Sequence, residues 1–342
     1  MRTRISLTIM AIALALAACS EQPEYSLEDG KQALAVRNYQ DARIKLYSLL
    51  DSEKDQVEAR RLLVDVMLAT GDGYAAERYL DQLSPTDLDP MERLELEAHS
   101  EIMKGQPRQA IRELNQADDR QDWNGRTYEM LIWAHREARS LDRNVELFDE
   151  ALARFPEHAG VNAMAARYYK TAGEWQLAEE TTAAALASNP GHYEARLLAG
   201  ELAIGNGDLA GSLVIYQGLA ADFPEHAIPV TNVAGLQLDL GLVDEAEQTL
   251  EAGLSRHPDF ALLNFQNARL LFEKGAYAEC ARVLELMNLQ IERYMPALVL
   301  SAKANLKLGN RELAIGQLRR AARDKAFAEE ASETLAEAGV EL

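Results

Sequence analysis

The sequence predicts an all-α protein built as a solenoid of about nine helical hairpins. Hydrophobic residues make up 48% of the 342 positions but aromatic residues only 6%, so small and aliphatic side chains must supply most of the buried surface. A small residue also recurs every 34 residues without insertion, and self-similarity at such a fixed period is the mark of a repeat architecture. The nine residues of this series are Ala42, Ala76, Ala110, Asn144, Ala178, Ser212, Ala246, Cys280 and Ala314.

The positions around each small residue predict two helices and a tight turn in every repeat. Five residues earlier stands Gly in seven of the nine repeats, with Arg37 and Arg139 as the exceptions. Gly ends a helix readily because it adopts the left-handed conformation at little cost. The small residue lets the two helices approach closely, and a Leu four residues later fills the space between them in six repeats. In the four central repeats a Pro twelve residues after the small residue ends the second helix, because the residue before Pro avoids the α region.

This period and these positions resemble the tetratricopeptide repeat (TPR) family over residues 23–328. The resemblance implies a TPR-type α-solenoid, a right-handed superhelix in which the first helix of each repeat lines a concave groove. The tryptophan expected early in the first helix is missing, since Trp133 and Trp175 lie elsewhere in their repeats. Residues 329–342 are expected to form a polar capping helix and tail, because the end of a solenoid needs a polar outer face.

The first 18 residues are predicted to be a signal peptide. Arg2 and Arg4 precede an uncharged run over residues 5–18, whose 14 residues are too few to cross a bilayer as a helix. The run ends Leu-Ala-Ala before Cys19, which resembles the bacterial lipobox and implies cleavage before Cys19 and its acylation. Residues 19–22 are then a lipidated tether. The alternative is an ordinary secretory signal followed by a chance cysteine.

Lipobox and repeats together resemble a bacterial TPR lipoprotein. The residue after the cysteine is Ser20 rather than Asp, and within the lipoprotein family this implies sorting to the outer membrane, with the repeats facing the periplasm. Acyl chains on Cys19 would anchor the chain stably, because two or more chains suffice for that. The membrane is therefore one expected partner, reached through the lipid.

The charge balance argues against nucleic acid as a partner. Lys and Arg number 35 against 55 Asp and Glu, which gives a net charge of −20. Non-specific nucleic-acid binding depends instead on a basic surface that neutralises phosphates.

No pattern in the sequence predicts a catalytic residue, a metal site or a small-molecule cofactor. His158, His192 and His226 are spaced by 34, but packed helices lie about 8–10 Å apart, whereas zinc binds its histidine ligands at about 2.1 Å. They are interpreted as turn residues. Cys280 stands at a small packing position and is expected to be a buried small hydrophobe. The chain is therefore predicted not to be an enzyme.

The expected binding surface is the groove. By the family resemblance, the ninth residue of each repeat points into it, and the residue one helical turn later lies beside it. An aromatic residue among basic ones in an acidic chain favours an anionic or carboxylate-bearing partner, and Trp and Arg are frequent at binding hot spots. The alternative is that Trp133 packs between repeats while the basic side chains pair with Glu129 and Glu137. The candidate groove residues are His99, Trp133, Arg136, Arg167, Lys170 and Arg269.

The predicted function is a non-catalytic, lipid-anchored scaffold that binds a protein or peptide in its groove during cell-envelope assembly at the periplasmic face of the outer membrane. The alternative is a component of an exopolysaccharide export system, because residues 62–80 look like the TPR lipoprotein of exosortase-linked systems. Residues 84–90 and 118–125 are looser junctions, and they are either hinges or degenerate repeats.

Overall fold

The computed structural model describes residues 25–53, 56–116, 122–140, 144–287 and 294–340, apart from the side chains of residues 144 and 145. The predicted signal peptide, Cys19 and the tether 19–22 lie outside these residues. The described residues form nineteen α-helices and no strand. The helices are α1 (Leu27–Ala35), α2 (Tyr39–Ser52), α3 (Val57–Ala69), α4 (Gly73–Leu80), α5 (Pro90–Met103), α6 (Pro107–Leu114), α7 (Gly125–Glu137), α8 (Asn144–Arg154), α9 (Ala159–Ala172), α10 (Trp175–Ser188), α11 (Tyr193–Gly205), α12 (Leu209–Asp222), α13 (Ala227–Asp239), α14 (Val243–Arg256), α15 (Ala261–Glu273), α16 (Tyr277–Leu286), α17 (Met295–Lys307), α18 (Arg311–Ala321) and α19 (Ala328–Glu337).

The chain divides into two compact units, Met1–Met164 and Ala165–Leu342. The boundary falls inside α9 and coincides with neither of the looser junctions at 84–90 and 118–125. In the first unit the hairpins are α1–α2, α3–α4, α5–α6 and α7–α8. In the second unit the hairpins α11–α12, α13–α14, α15–α16 and α17–α18 follow α10, and α19 packs on α18.

The turn inside each hairpin has the backbone that the glycine pattern predicts. The seven turn glycines have φ between +75° and +84°, and Arg37 and Arg139 adopt φ of +55° at the equivalent places. In the second repeat the Gly71 N–H donates to the Leu68 carbonyl at 3.1 Å, and the next N–H, of Asp72, donates to the Met67 carbonyl at 2.8 Å. These bonds satisfy carbonyls that the helix end leaves free.

The small positions are the points of closest helix packing. Every member of the series whose side chain is described is fully buried, from Ala42 to Ala314, and the residue four places later is also buried in all nine repeats. Twelve residues before the small position stand Gly30 and Gly200. The space beside each of them is taken by a side chain of the second helix, so a larger residue there would collide with it. A Cβ on Gly200 would lie 2.7 Å from the Tyr216 ring. The 34-residue series therefore encodes close helix packing, as predicted.

The last helix covers the end of the second unit. Ala331 and Leu335 are buried on α19 and pack with Leu298 and Leu318. The helix also carries four glutamates, of which Glu329 and Glu330 lie in its first turn. Acidic residues in a first turn stabilise a helix by interacting with its dipole. Among the residues that the structure describes, no helix is long and apolar enough to cross a membrane.

Candidate partner-binding surface

Ion pairs between successive first helices define one face of each unit, here called the first-helix face. Its carboxylates follow the same 34-residue register as the repeats. Glu58, Glu92, Glu194 and Glu330 each accept an ion pair from a basic residue of the preceding repeat, at 2.6–2.8 Å. The basic partners are Lys31, Arg61, Arg167 and Lys303. Lys31, Arg167 and Lys303 share the 34-residue register of His99 and Trp133, which is the ninth position of the repeat, whereas Arg61 does not.

In the first unit, His99 on α5 and Trp133 on α7 lie against each other on this face. Their ring centroids are 5.0 Å apart in an edge-to-face arrangement. Burial, with a smaller effect of the nearby Arg126 charge, lowers the pKa of His99 to about 4, so the imidazole is neutral at pH 7. Its Nδ1 is buried without a hydrogen-bond partner within the described part of the chain. An unpaired buried nitrogen can accept or donate one further hydrogen bond.

Trp133 and Arg136 share one carboxylate. The indole Nε1–H donates to Glu137 Oε1 at 3.2 Å, and Arg136 Nη2 lies 3.2 Å from the same oxygen. This agrees with the alternative in which the basic side chain pairs with Glu137. Among the described residues Arg136 makes no pair with Glu129.

Glu129 lies in a more enclosed place on α7. An added Cβ on Gly160 would collide with its carboxylate. Burial raises the pKa of Glu129, the Arg126 charge lowers it and the Glu95 charge raises it, and together these effects place it at about 7. Glu95 is itself buried and accepts a 2.6 Å hydrogen bond from the Thr127 hydroxyl.

In the second unit the candidate basic residues are all paired. Arg167 Nη2 lies 2.8 Å from Glu194, and Lys170 Nζ lies 2.6 Å from Glu201. Arg269 donates at 2.5 Å to Asp239 of the preceding repeat and at 2.9 Å to Gln266. The basic side chains that the sequence analysis expected to bind an anionic partner therefore already pair with carboxylates of the second unit.

In the middle repeats of the second unit, apolar residues stand at the positions that carry charged residues in other repeats. Ile228 and Leu262 stand one and two repeats after Glu194, and Ile204 stands one repeat after Lys170. These three side chains are 39–45% exposed. Leu238 and Phe272 continue the register of Ile204, but both are half-buried and pack against core residues. The apolar strip is defined as the exposed Ile204, Ile228 and Leu262.

The sequence analysis missed the apolar strip, although a signal for it was present. Stepping by 34 from Arg136 gives Lys170, then Ile204, and stepping from Glu92 reaches Glu194 and Ile228. Following each register through all repeats, rather than only the ninth position, shows where charge gives way to aliphatic residues.

The described residues hold no group of three His, Cys, Asp or Glu side chains that could bind a metal ion. Two of the three histidines spaced by 34 make the same local contact: His158 accepts from the Val161 N–H and His192 from the Ala195 N–H. The third, His226, packs against the Tyr193 ring at a centroid distance of 4.7 Å. Cys280 is fully buried, and burial raises the pKa of its thiol to about 12. A thiol in that state is not a nucleophile at pH 7.

Two tetratricopeptide-repeat family models match the chain, over residues 163–227 and 203–263. No curated protein sequence matches it.

Solved structures with similar folds come from several systems. The Cut9–Hcn1 hetero-tetramer of APC/C aligns over 91% of this chain and 69% of its own, with a TM-score of 0.57 at 13% identity. PilW, a type IV pilus biogenesis factor, has a TM-score of 0.53 at 20% identity over 62% of this chain and 98% of its own. Pseudomonas aeruginosa pilF has a TM-score of 0.53 at 19% identity, over 62% and 97%.

At these identities the likeness to the solved structures is one of fold. The register, the left-handed turns, the buried small residues and the matching family models all agree with it. The chain is an all-α solenoid of tetratricopeptide repeats.

Proposed function

We propose that this chain is a non-catalytic scaffold that binds an apolar segment of a protein partner on its first-helix face. The observation that carries the proposal is the apolar strip of the second unit. Aliphatic side chains stand exposed there at positions where other repeats place paired charges. Covering apolar surface contributes about 25 cal/mol per Å², and a clustered apolar surface rimmed by polar residues is typical of an interaction site.

Charged groups beside the strip would orient the partner. Arg167, Lys170 and Arg269 belong to the same unit and hold carboxylates in fixed positions. Such groups add specificity and on-rate more than affinity. Each of these pairs is partly exposed, so its net contribution to stability is only about 0–1 kcal/mol. A carboxylate of the partner can therefore replace an internal one at small cost.

The first unit offers a separate contact at His99, Trp133 and Arg136. The indole and imidazole rings form an aromatic pair, and within the described part of the chain the guanidinium pairs with the exposed Glu137. Trp and Arg are the side chains that most often dominate binding energy.

The site of action that we propose is the periplasmic face of the outer membrane. Its support is the sequence of residues 1–20, in which a lipobox-like segment precedes Cys19 and Ser20 follows it. The process that we propose is cell-envelope assembly, and the fold likeness to PilW, a pilus biogenesis factor, supports that class of process. No nucleic acid and no cofactor enter this proposal.

Site-specific photocrosslinking in cells tests the binding surface. A photoreactive residue at Ile228 should capture a protein partner, and one at Val214, which is 68% exposed on α12 outside the apolar strip, should not. Ile228→Glu restores the carboxylate of the register, so the chain should keep its helical circular dichroism while a probe at Leu262 loses its crosslink. Equal capture at Ile228 and Val214, or a crosslink that survives Ile228→Glu, would contradict the proposal.

A further inference from the structure

A surface pocket of about 440 Å³ opens in the first unit, beside Glu137, the carboxylate that Trp133 and Arg136 share. It lies between the turn that joins α5 to α6 and the end of α7. The residues that line it are Gly105, Gln106, Pro107, Arg108, Gln109, Arg112, Glu137, Ala138 and Arg139. A volume in this range is typical of pockets that hold small ligands.

Three arginines line this pocket, and their charges are not used inside the described part of the chain. Arg108, Arg112 and Arg139 are exposed and make no ion pair there, whereas the candidate basic residues of the first-helix face are all paired. The lining contains one carboxylate, that of Glu137, and Arg136 and Trp133 already share it. The pocket therefore carries about two unbalanced positive charges in a chain of net charge −20.

The backbone places the Arg139 side chain at this pocket. Arg139 adopts φ of +55° at a turn where seven other repeats have Gly, and Arg37 has the same φ at its own turn. The left-handed conformation is unfavourable for a residue that carries a Cβ. A strained residue that persists where Gly would fit is a reason to look for a role, and the side chain in question lines the pocket.

The start of α6 adds a third feature. Pro107 is the first helical residue, and Gln106 makes no side-chain cap bond. Free N–H groups at the start of a helix attract anions. Pro107 has no N–H, and those of Gln106 and Gln109 donate to the Glu101 and Gln106 carbonyls, so within the described residues the helix start adds only the N–H of Arg108 to the pocket.

We infer that this pocket binds a phosphate monoester group. A phosphate monoester carries about −1.5 to −2 charges at pH 7, which matches the unbalanced charge of the pocket. Guanidinium groups bind phosphate oxygens through paired N–H donors. The group would be free phosphate or the phosphate of a larger molecule, and this binding is independent of the apolar strip.

Isothermal titration calorimetry with inorganic phosphate, at constant ionic strength, tests the inference on the purified chain. The informative variant is Arg139→Gly, which removes one guanidinium and also relieves the left-handed backbone. It should weaken phosphate binding about tenfold while raising the melting temperature by about 2–4 °C. Because the variant is expected to be more stable, a loss of binding cannot be attributed to unfolding.

Arg37→Gly is the matched control, because Arg37 has the same φ in the first repeat and does not line the pocket. It should leave phosphate affinity unchanged. The double variant Arg108→Gln, Arg112→Gln should abolish binding. Titration with O-phosphoserine and with glycerol 3-phosphate separates the sources: tighter binding of either identifies a larger ligand, and equal binding identifies free phosphate. If Arg139→Gly binds phosphate like the unmodified chain, or if succinate binds as tightly as phosphate, the inference is wrong.

Discussion

Glu129 links the stability of the first unit to pH through a single side chain. Its pKa is raised to about 7 from its ordinary value of 4.5, mainly by burial. Between these two values the folded chain holds a proton on Glu129 that the unfolded chain releases. The free energy of unfolding therefore falls as the pH rises from about 4.5 to 7, and the loss is complete above pH 7.

Glu129→Gln should remove this loss. Relative to the unmodified chain, the variant should be more stable at pH 8 by up to about 3 kcal/mol, since one pKa unit corresponds to about 1.4 kcal/mol, and almost equally stable at pH 5. Urea unfolding of both proteins at the two pH values measures the difference. Glu146→Gln, on the exposed side of α8, controls for the loss of one negative charge. If Glu129→Gln changed the free energy of unfolding equally at pH 5 and pH 8, the raised pKa of Glu129 would be contradicted.

At the scale of the helices, stability depends on how closely each pair approaches. Ala178 is fully buried on α10, and Ala246 and Ala314 occupy the same place in later hairpins. Thr182, Leu250 and Leu318, which follow these alanines by four places, are buried as well, so the two positions act together. A larger side chain at the small position must push the helices apart.

Ala178→Leu should destabilise the second unit by about 1–3 kcal/mol through overpacking. Ala183→Leu, the same change at an exposed position of α10, should change stability by less than about 0.5 kcal/mol. Thermal unfolding followed by circular dichroism compares the two variants. A melting curve of Ala178→Leu that overlays that of Ala183→Leu would refute the packing role.

The helices and their turns could be predicted from the sequence because the same pattern of turn and packing residues occurs in each of the nine repeats. Gly173 predicts a left-handed turn by itself, and Ala178 predicts a close approach by its size. The ion pairs do not follow in the same way. Arg167 could reach acidic residues on several neighbouring turns, and only the packing of one first helix on the next selects Glu194 and Glu201.

At the scale of the whole chain, the regular period conceals where the structure divides. The boundary between the two compact units lies within α9, after Met164, and no break in the 34-residue series marks it. The looser junctions at 84–90 and 118–125 stand out in composition, yet both lie inside the first unit. Composition records the length and polarity of a turn, whereas compactness depends on how many neighbouring helices pack together.

The location of the chain depends on residues outside the described structure, and one substitution tests it. Cys19→Ser removes the thiol that the lipobox resemblance assigns to acylation. The variant should accumulate as an uncleaved or soluble form, because the acyl chains that anchor the chain to a membrane would be absent. Membrane fractionation with metabolic labelling by a fatty-acid analogue measures both effects.

Cys280→Ser serves as the matched control for Cys19→Ser, because Cys280 is fully buried and should carry no lipid. Its fractionation and labelling should equal those of the unmodified chain. Unchanged labelling and membrane retention in Cys19→Ser would show that residues 1–18 are an ordinary secretory signal or that another feature holds the chain at the membrane. In that case the first-helix face could still bind its partner, but the proposed lipid anchor at Cys19 would be wrong.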